Sequence, residues 1–359
     1  MLNFTVGPVQ IGESVLNIGS EQVPYFRTPE FSAVMRENEN LMLEFTDALK
    51  TSRAVFLTGS GTAAMEAAVI NALTEKDKVL IINGGSFGQR FTDICKIHNI
   101  PFDEIKLPYG SALTKEILSE YESAYYSAML INLHETSTGV LYDINLVKDF
   151  CAKKDMFLIV DAISCFLAED ISVSRDGIDV LLTGSQKALA CPPGVSVLVL
   201  SEKAVKRVFE TPQKCMYLDL KSALINGERG QTPFTPAVSI LLQINQRLKE
   251  IKANGGVKTE IEKVKSLAEY FREKIKPFPF KNFSNAPSNA VTALKTDGVS
   301  AHGIFTVLKD EYGIWVCPNG GELKETVFRV GHIGNLTFND YDTLINALYD
   351  MKKRGLING

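Results

Sequence analysis

The alternation of apolar and polar residues predicts most of the secondary structure of this chain. Short apolar runs alternate with segments in which apolar residues recur every three or four positions. The runs predict seven strands, at Arg53–Thr58, Lys78–Ile82, Phe102–Leu107, Ala128–Leu133, Met156–Val160, Ile178–Thr183 and Val195–Leu200. The segments between them predict helices, such as Thr62–Leu73 and Phe87–His98. This alternation favours an α/β fold with a mostly parallel seven-stranded sheet that is covered on both faces.

The pattern changes after about residue 236, and the first 25 residues show little periodicity. The later part predicts helices at Ala237–Ala253, Thr259–Lys276, Ser300–Tyr312 and Asn339–Lys353, with strands at Ala290–Leu294, Ile314–Cys317 and Thr326–Val330 and a loop at Lys276–Asn289. We therefore predict an N-terminal arm (1–25), a large domain (26–255) and a smaller C-terminal α+β domain (256–359).

Composition and charge restrict the classes of function. Hydrophobic residues are 45% and charged residues 22%, as in ordinary soluble proteins, and the net charge of -4 argues against a nucleic-acid partner. The longest apolar run, at Tyr125–Leu133, is too short to cross a membrane, and the N-terminus lacks a leader pattern. Six cysteines without a C-x-x-C pair and four histidines without ligand spacing predict a cytoplasmic protein with reduced thiols and no metal site.

A turn rich in glycine and hydroxyl residues follows the first predicted strand. Ligands of parallel sheets bind beyond the carboxyl ends of the strands, so this turn is a candidate site. Ser60, Gly61 and Thr62 come directly before a predicted helix. Free amide groups at a helix start bind phosphate, although the same residues also suit a plain tight turn with a capping serine. The spacing matches neither the dinucleotide nor the nucleoside-triphosphate motif.

Two ionisable residues follow later strands. Asp161 ends an apolar strand, where a carboxylate needs a partner, although a capping role is the alternative. Lys187 lies in the segment Gly184–Leu189 among small and apolar residues, where desolvation would make its amine a nucleophile; the alternative is a surface lysine. A phosphate turn, an aspartate and such a lysine together suit pyridoxal 5′-phosphate, with the aldehyde on Lys187 and the ring nitrogen facing Asp161.

At these residues the sequence resembles the class V pyridoxal-phosphate-dependent aminotransferases, in the branch of the alanine–glyoxylate, serine–pyruvate and 2-aminoethylphosphonate–pyruvate enzymes. The segment Gly184–Leu189, followed by Pro192-Pro193-Gly194, resembles the family's lysine segment, and Val160–Ser164 resembles its aspartate segment. The resemblance implies the fold type I of these transferases. It also implies that Lys187 carries the cofactor and that Gln186 bonds its phosphate.

Three further segments resemble cofactor-binding parts of the family. Asn83–Arg90 resembles the segment whose aromatic residue stacks on the cofactor, which is Phe87 here; core packing is the alternative role for this ring. His134–Gly139 resembles the segment in which Thr136 approaches the phenolic oxygen of the cofactor. His134 is either part of the site or a loop histidine whose hydrogen bonds are satisfied by the protein. Pro233–Pro236 resembles the segment that reaches the neighbouring subunit's phosphate. The resemblance therefore implies a homodimer, with Thr235 and also Thr232 completing the partner's site.

Substrate residues are implied in the same way. Val327–Gly334 resembles the strand whose arginine, Arg329, binds the substrate carboxylate, with a domain-interface ion pair as the alternative. Gly7 lies in a Gly-Pro turn that resembles one near the substrate. The implied activity is ping-pong transfer of an amino group from an alanine- or serine-like amino acid to glyoxylate or pyruvate.

Three other functions remain open from the sequence. Val23–Phe31 resembles the amino-acid branch, but the Arg329 strand resembles the phosphonate branch, so a 2-aminoethylphosphonate–pyruvate aminotransferase is the alternative. A cysteine desulfurase or lyase would need a reactive thiol, and Cys317 lies twelve residues before Arg329. However, Ile314–Cys317 predicts a buried strand, where thiols are usually inert. A non-catalytic cofactor-binding module is disfavoured by the presence of both Lys187 and Arg329.

Overall fold

The computed structural model describes residues 1–357. Its strands, in chain order, are β1 (Leu2–Asn3), β2 (Arg53–Thr58), β3 (Val79–Asn83), β4 (Phe102–Lys106), β5 (Ala128–Asn132), β6 (His134–Glu135), β7 (Val140–Leu141), β8 (Phe157–Asp161), β9 (Val180–Gly184), β10 (Val195–Leu200), β11 (Phe280–Asn282), β12 (Val291–Thr296), β13 (Ile314–Trp315), β14 (Cys317–Pro318) and β15 (Val327–Gly331).

The helices surround these strands. In chain order they are α1 (Glu13–Gly19), α2 (Pro29–Phe45), α3 (Gly61–Ala72), α4 (Ser86–Ile97), α5 (Lys115–Ser119), α6 (Ile144–Lys153), α7 (Glu202–Glu210), α8 (Leu220–Glu228), α9 (Val238–Ala253), α10 (Gly256–Lys274), α11 (Ala301–Tyr312) and α12 (Phe338–Lys353), with a 3₁₀ turn at Gly321–Leu323. None of the helices in residues 1–357 is long and apolar enough to cross a bilayer.

A seven-stranded sheet forms the centre of the fold, in the order β2-β10-β9-β8-β5-β3-β4. β10 runs antiparallel to its two neighbours, β2 and β9, and the other neighbouring pairs are parallel. Every residue of β3 and β5 is buried, because helices cover both faces. Along β5, Met129 packs into the core under α2, α6 and α9, whereas Leu130 packs into the core under α3, α4, α7 and α8. This alternation explains why the strands appear in the sequence as continuous apolar runs.

A second, antiparallel sheet has the order β11-β12-β15-β14 and packs against α10, α11 and α12. The N-terminal arm joins this part of the molecule, because β1 pairs with β13. Phe4 in the arm is fully buried in the same core. The α/β class and the mostly parallel seven-stranded sheet are therefore confirmed, and each of the seven predicted strands is present within two residues of its predicted ends. The boundaries of the three predicted parts stay predictions.

Two local predictions were wrong, and the arm contains elements that its sequence did not predict. The arm, which shows little periodicity, contains β1 and α1. The predicted loop at Lys276–Asn289 contains β11. The predicted strand Ile314–Cys317 is divided, because β13 pairs with the arm and β14 pairs with β15. In each case the element is short, with two to seven residues, so it shows no clear period in the sequence.

Candidate active site

Lys187 lies in the turn after β9 and is 9% exposed. Its Nζ donates a hydrogen bond to the carbonyl oxygen of Val6 at 2.6 Å. Burial lowers the pKa of the Lys187 amine to about 8, against the opposing effects of Cys317 and Asp161. About one amine in ten is then neutral at pH 7. The predicted nucleophile is therefore a desolvated lysine and not a surface lysine.

Gly7 brings the N-terminal arm directly over this lysine. Its φ is +133°, a backbone conformation that favours glycine. A Cβ at this position would lie 2.7 Å from Cδ of Lys187. The backbone of the next residues continues along the lysine turn, where the amide of Val9 donates to the carbonyl of Gln186. The structure thus places the predicted substrate residue Gly7 beside the amine.

Asp161 ends β8 and is 1% exposed. One carboxylate oxygen accepts the amide of Ile163 at 2.8 Å, and the other accepts Nδ2 of Asn132 at 2.9 Å. Burial raises the pKa of Asp161 to about 6, although these two hydrogen bonds favour the charged form. Asp161 and Lys187 also stabilise each other's charged forms. A buried carboxylate with this environment can hold a proton on a ring nitrogen that faces it.

The turn before α3 has the properties of a phosphate site. Ser60 is the N-cap residue, its backbone is extended, and its side chain makes no capping hydrogen bond. The amides of Gly61 and Thr62 have no acceptor among the described residues, and the first turn of α3 contains no acidic residue. Free amides at the positive end of a helix attract a phosphate group. Gly61 also packs closely, since a Cβ there would lie 2.5 Å from the Ile163 side chain.

Glu135 joins the two segments that carry Phe87 and Thr136. Its Oε2 accepts the amides of Phe87 at 3.1 Å and of Gly88 at 3.0 Å, at the start of α4. Its other oxygen accepts the amide of Ser137 at 3.2 Å. Burial raises the pKa of Glu135, and these donors oppose that shift. The carboxyl group therefore fixes the backbone that carries the half-buried ring of Phe87.

Thr136 and His134 share one hydrogen-bonding partner. Oγ1 of Thr136 donates to Oγ of Ser164 at 2.7 Å, and Nδ1 of His134 lies 2.9 Å from the same oxygen. Nε2 of His134 is buried without a partner, so the histidine is only half satisfied. Burial lowers the pKa of His134 to about 3, and Lys187 contributes to this shift. The ring is therefore neutral at physiological pH.

The predicted phosphate residues are not equivalent. Gln186 is half-buried and directly precedes the lysine. Thr232 is buried, and its hydroxyl donates to the carbonyl of Phe234 at 2.7 Å, within its own segment. Thr235 is exposed. The same segment lies beside the end of β2, because the amide of Ala237 donates to Oγ1 of Thr58 at 3.0 Å.

Arg329 is buried on β15 and bonds two backbone carbonyls. Nη1 donates to the carbonyl of Thr136 at 3.0 Å, and Nη2 donates to that of Pro318 at 2.6 Å. Its Nε has no partner, and no carboxylate of residues 1–357 forms an ion pair with it. The interface ion pair considered from the sequence is therefore wrong. The guanidinium instead lines a cavity of about 400 Å³ together with Phe87, Ser137 and others.

Cys317 differs from its predicted environment. It lies on the edge strand β14, directly opposite Arg329, and it is half-buried. The prediction of a fully buried strand at Ile314–Cys317 is wrong because the segment serves two different sheets. Cys317 is therefore the cross-strand neighbour of Arg329.

Four residues of this site were missed in the sequence. Asn132 ends β5 beside Asp161, and a polar residue at a strand end is the signal that identified Asp161 itself. Ser164 and Glu135 lie within segments whose other residues were assigned roles. Arg90 follows Phe87 by one helical turn. Within the part of the chain that the structure describes, no three His, Cys, Asp or Glu side chains form a group that could hold a metal ion.

Comparison with known proteins agrees with this geometry. Residues 23–325 match the family described as aminotransferase class-V. An uncharacterised aminotransferase of Methanocaldococcus jannaschii is 30% identical over 338 residues, covering 91% of this chain and 86% of that protein. The L-aspartate–glyoxylate aminotransferase of Paracoccus denitrificans is 28% identical, covering 93% of this chain and 86% of that enzyme.

A solved structure gives the same result for the fold. The alanine–glyoxylate aminotransferase of a Nostoc species is 26% identical, with a TM-score of 0.90, and the match covers 98% of this chain and 95% of that chain. The fold is that of the fold type I pyridoxal-phosphate-dependent transferases, and the desolvated lysine, buried aspartate and open helix terminus fit that cofactor. This chain belongs to the class-V aminotransferases, and it is a transaminase that uses pyridoxal 5′-phosphate.

Proposed function

We propose that this enzyme transfers the amino group of a small neutral amino acid, similar to alanine or serine, to glyoxylate or pyruvate by a ping-pong mechanism. The observation that carries this proposal is Arg329, whose guanidinium lines the cavity without a protein carboxylate beside it. A guanidinium in this state suits the carboxylate of an amino or oxo acid. The glyoxylate enzymes of Paracoccus denitrificans and the Nostoc species support the choice of acceptor.

The charge of the cavity supports a small neutral side chain. Its other lining residues are neutral apart from Glu322, and Arg329 is the one cation among its described lining residues. A second substrate carboxylate would meet the negative charge of Glu322 instead of a cation. The phosphonate of 2-aminoethylphosphonate would place a double negative charge on the same single guanidinium. We therefore favour an alanine- or serine-like donor over this alternative.

Each residue of the site would have a separate role in the reaction. Bound pyridoxal phosphate supplies an aldehyde that captures the amino group and a ring that withdraws electrons. Arg329 would hold the substrate carboxylate, and the Lys187 amine would then remove the proton from the substrate α-carbon as a general base. The carbonyl of Val6 gives that amine a resting position whenever it is not covalently bound. Asp161 would keep the ring nitrogen protonated, and Phe87 would stack on the ring.

We also propose a cytoplasmic homodimer in which Thr235 completes the partner's phosphate site. Thr235 is exposed, and it lines a surface hollow together with Phe234 and the 53% exposed ring of Tyr217. Exposed apolar surface that is rimmed by polar residues is typical of a contact between proteins. The six cysteines are all free, which agrees with a reducing compartment.

A half-reaction screen tests the substrate proposal. The enzyme is mixed separately with alanine, serine, glycine, aspartate and 2-aminoethylphosphonate, and conversion of the cofactor to its amine form is followed by absorbance. We expect alanine or serine to react fastest, and parallel lines in double-reciprocal plots of the full reaction. Fastest reaction of aspartate or the phosphonate, or intersecting lines, would contradict the proposal. Release of sulfide from cysteine that is lost in Cys317→Ser would instead indicate the lyase.

A further inference from the structure

Arg90 connects two predicted cofactor-binding segments. Its guanidinium carbon lies 4.8 Å from the ring centroid of Phe87, one turn earlier in α4. Its Nη1 donates a hydrogen bond to Oγ1 of Thr62, at the start of α3, at 3.1 Å. The same side chain therefore contacts both the stacking ring and the phosphate turn.

The charge of Arg90 has no protein partner. No carboxylate of residues 1–357 lies within ion-pair distance of it, and the Thr62 hydroxyl is the one acceptor that the described residues offer it. Arg90 is half-buried, so its charge is only partly solvated. It is also one of the cations that lower the pKa of Lys187. An unpaired, partly desolvated cation in such a place indicates that an anionic ligand completes its environment.

The contact with Thr62 places this cation at the phosphate turn. An anion that accepts the Thr62 amide lies about 3 Å from that nitrogen. The Thr62 hydroxyl oxygen, which Arg90 contacts, belongs to the same residue, so the guanidinium lies within a few ångströms of the place that such an anion would occupy. Rotation of the Arg90 side chain would bring the guanidinium to a phosphate oxygen there, and the planar guanidinium matches phosphate with two hydrogen bonds.

We propose that Arg90 supplies the cationic contact to the phosphate of the bound cofactor, in addition to the amides of the α3 turn. This inference rests on the proposed function because it requires the site to bind pyridoxal phosphate. The Arg90 guanidinium also packs against the Phe87 ring, and packing of a guanidinium on an aromatic face is favourable. Arg90 thereby couples phosphate binding to the position of the ring.

The experiment compares two ligands that differ only in the phosphate. Dissociation constants of pyridoxal phosphate and of pyridoxal are measured for the cofactor-free parent, Arg90→Met and Arg90→Lys. We expect Arg90→Met to bind pyridoxal phosphate at least tenfold more weakly, because the cation is lost, with pyridoxal affected less than twofold. Arg90→Lys keeps the charge but not the planar guanidinium, so its affinity for pyridoxal phosphate should lie between those of the parent and Arg90→Met. Phe87→Leu is the matched control, and it should weaken both ligands equally.

The outcomes separate the inference from the proposed function. Equal weakening of both ligands in Arg90→Met, or no weakening, overturns the role of Arg90 while leaving the cofactor assignment intact. A parent protein that binds neither ligand overturns both. If Arg90→Met does not fold, the comparison rests on Arg90→Lys and on inhibition by inorganic phosphate. Phosphate should then compete with pyridoxal phosphate more weakly in Arg90→Lys than in the parent, and equal competition would overturn the inference.

Discussion

The buried amine of Lys187 should make the cofactor-free enzyme less stable than it would be with an uncharged side chain. Burial lowers the pKa of this amine from 10.5 to about 8. Because the pKa of this lysine is lower in the folded protein than in the unfolded chain, the folded state is favoured above pH 10.5, and this advantage is lost as the pH falls through 8. A difference of about 2.5 pKa units corresponds to about 3 kcal/mol at pH 7.

Replacement of Lys187 by Met removes this cost and keeps the volume of the side chain. It also removes the hydrogen bond to the carbonyl of Val6, which contributes about 1 kcal/mol. The variant should therefore be more stable than the parent by about 2 kcal/mol at pH 7. At pH 10 the unfavourable contribution of the lysine falls to about 1 kcal/mol, so the two proteins should be nearly equal.

Equilibrium unfolding in urea of both cofactor-free proteins, at pH 7 and pH 10, measures this difference. Absence of visible absorbance confirms that the cofactor has been removed. Lys206→Met is the control, because the Lys206 side chain is 77% exposed and its replacement should change neither value. A Lys187→Met variant that is no more stable than the parent at pH 7, or whose advantage persists at pH 10, would refute the reasoning.

Three further predictions concern neighbouring residues. The pKa of Asp161 is raised to about 6, so its stabilising contribution is present below pH 3.8 and lost as the pH rises through 6. Asp161→Asn should therefore stabilise the cofactor-free protein at pH 8 by up to about 3 kcal/mol, as measured by unfolding in urea. The same variant should reduce turnover at least 100-fold, and parental turnover would contradict the role of Asp161 in protonating the cofactor ring. Gly7→Ala should lower kcat more than tenfold, because its Cβ would lie 2.7 Å from the Lys187 side chain. Steady-state kinetics measure this effect, and an unchanged kcat would disprove the contact. Gly85→Ala should weaken the binding of pyridoxal phosphate at least tenfold, because its Cβ would lie 2.5 Å from Cδ of Glu135. A fluorescence titration measures this affinity, and an unaltered affinity would mean that the Glu135 carboxyl does not position the Phe87 ring.

The large sheet could be predicted because its strands are buried on both faces and therefore appear as apolar runs. Asp161 and Lys187 could be predicted because an ionisable residue at the end of such a run requires a chemical explanation. The division of Ile314–Cys317 between two sheets could not be predicted, since both parts have only two residues and the first pairs with the distant N-terminal arm. β11 and α1 could not be predicted either, because they are too short to show a period.

Some parts of the site have no sequence pattern at all. The acceptor for Lys187 is a backbone carbonyl, that of Val6, and any residue type would provide one. The contacts of Arg90 and Glu135 connect segments that only the folded chain brings together. The role of Thr235 depends on a second copy of the chain, so it stays a prediction.

The N-terminal nine residues tie the two sheets together mechanically. The carbonyl of Phe4 accepts the amide of Gly331, at the end of β15 in the smaller sheet, while the carbonyl of Val6 accepts Nζ of Lys187, which follows β9 in the larger one. Any displacement of β15 relative to β9 would therefore pull on the backbone that carries the acceptor of the Lys187 amine. Because Arg329 lies on that same strand, the backbone connects the position of its guanidinium to the position of the lysine's acceptor.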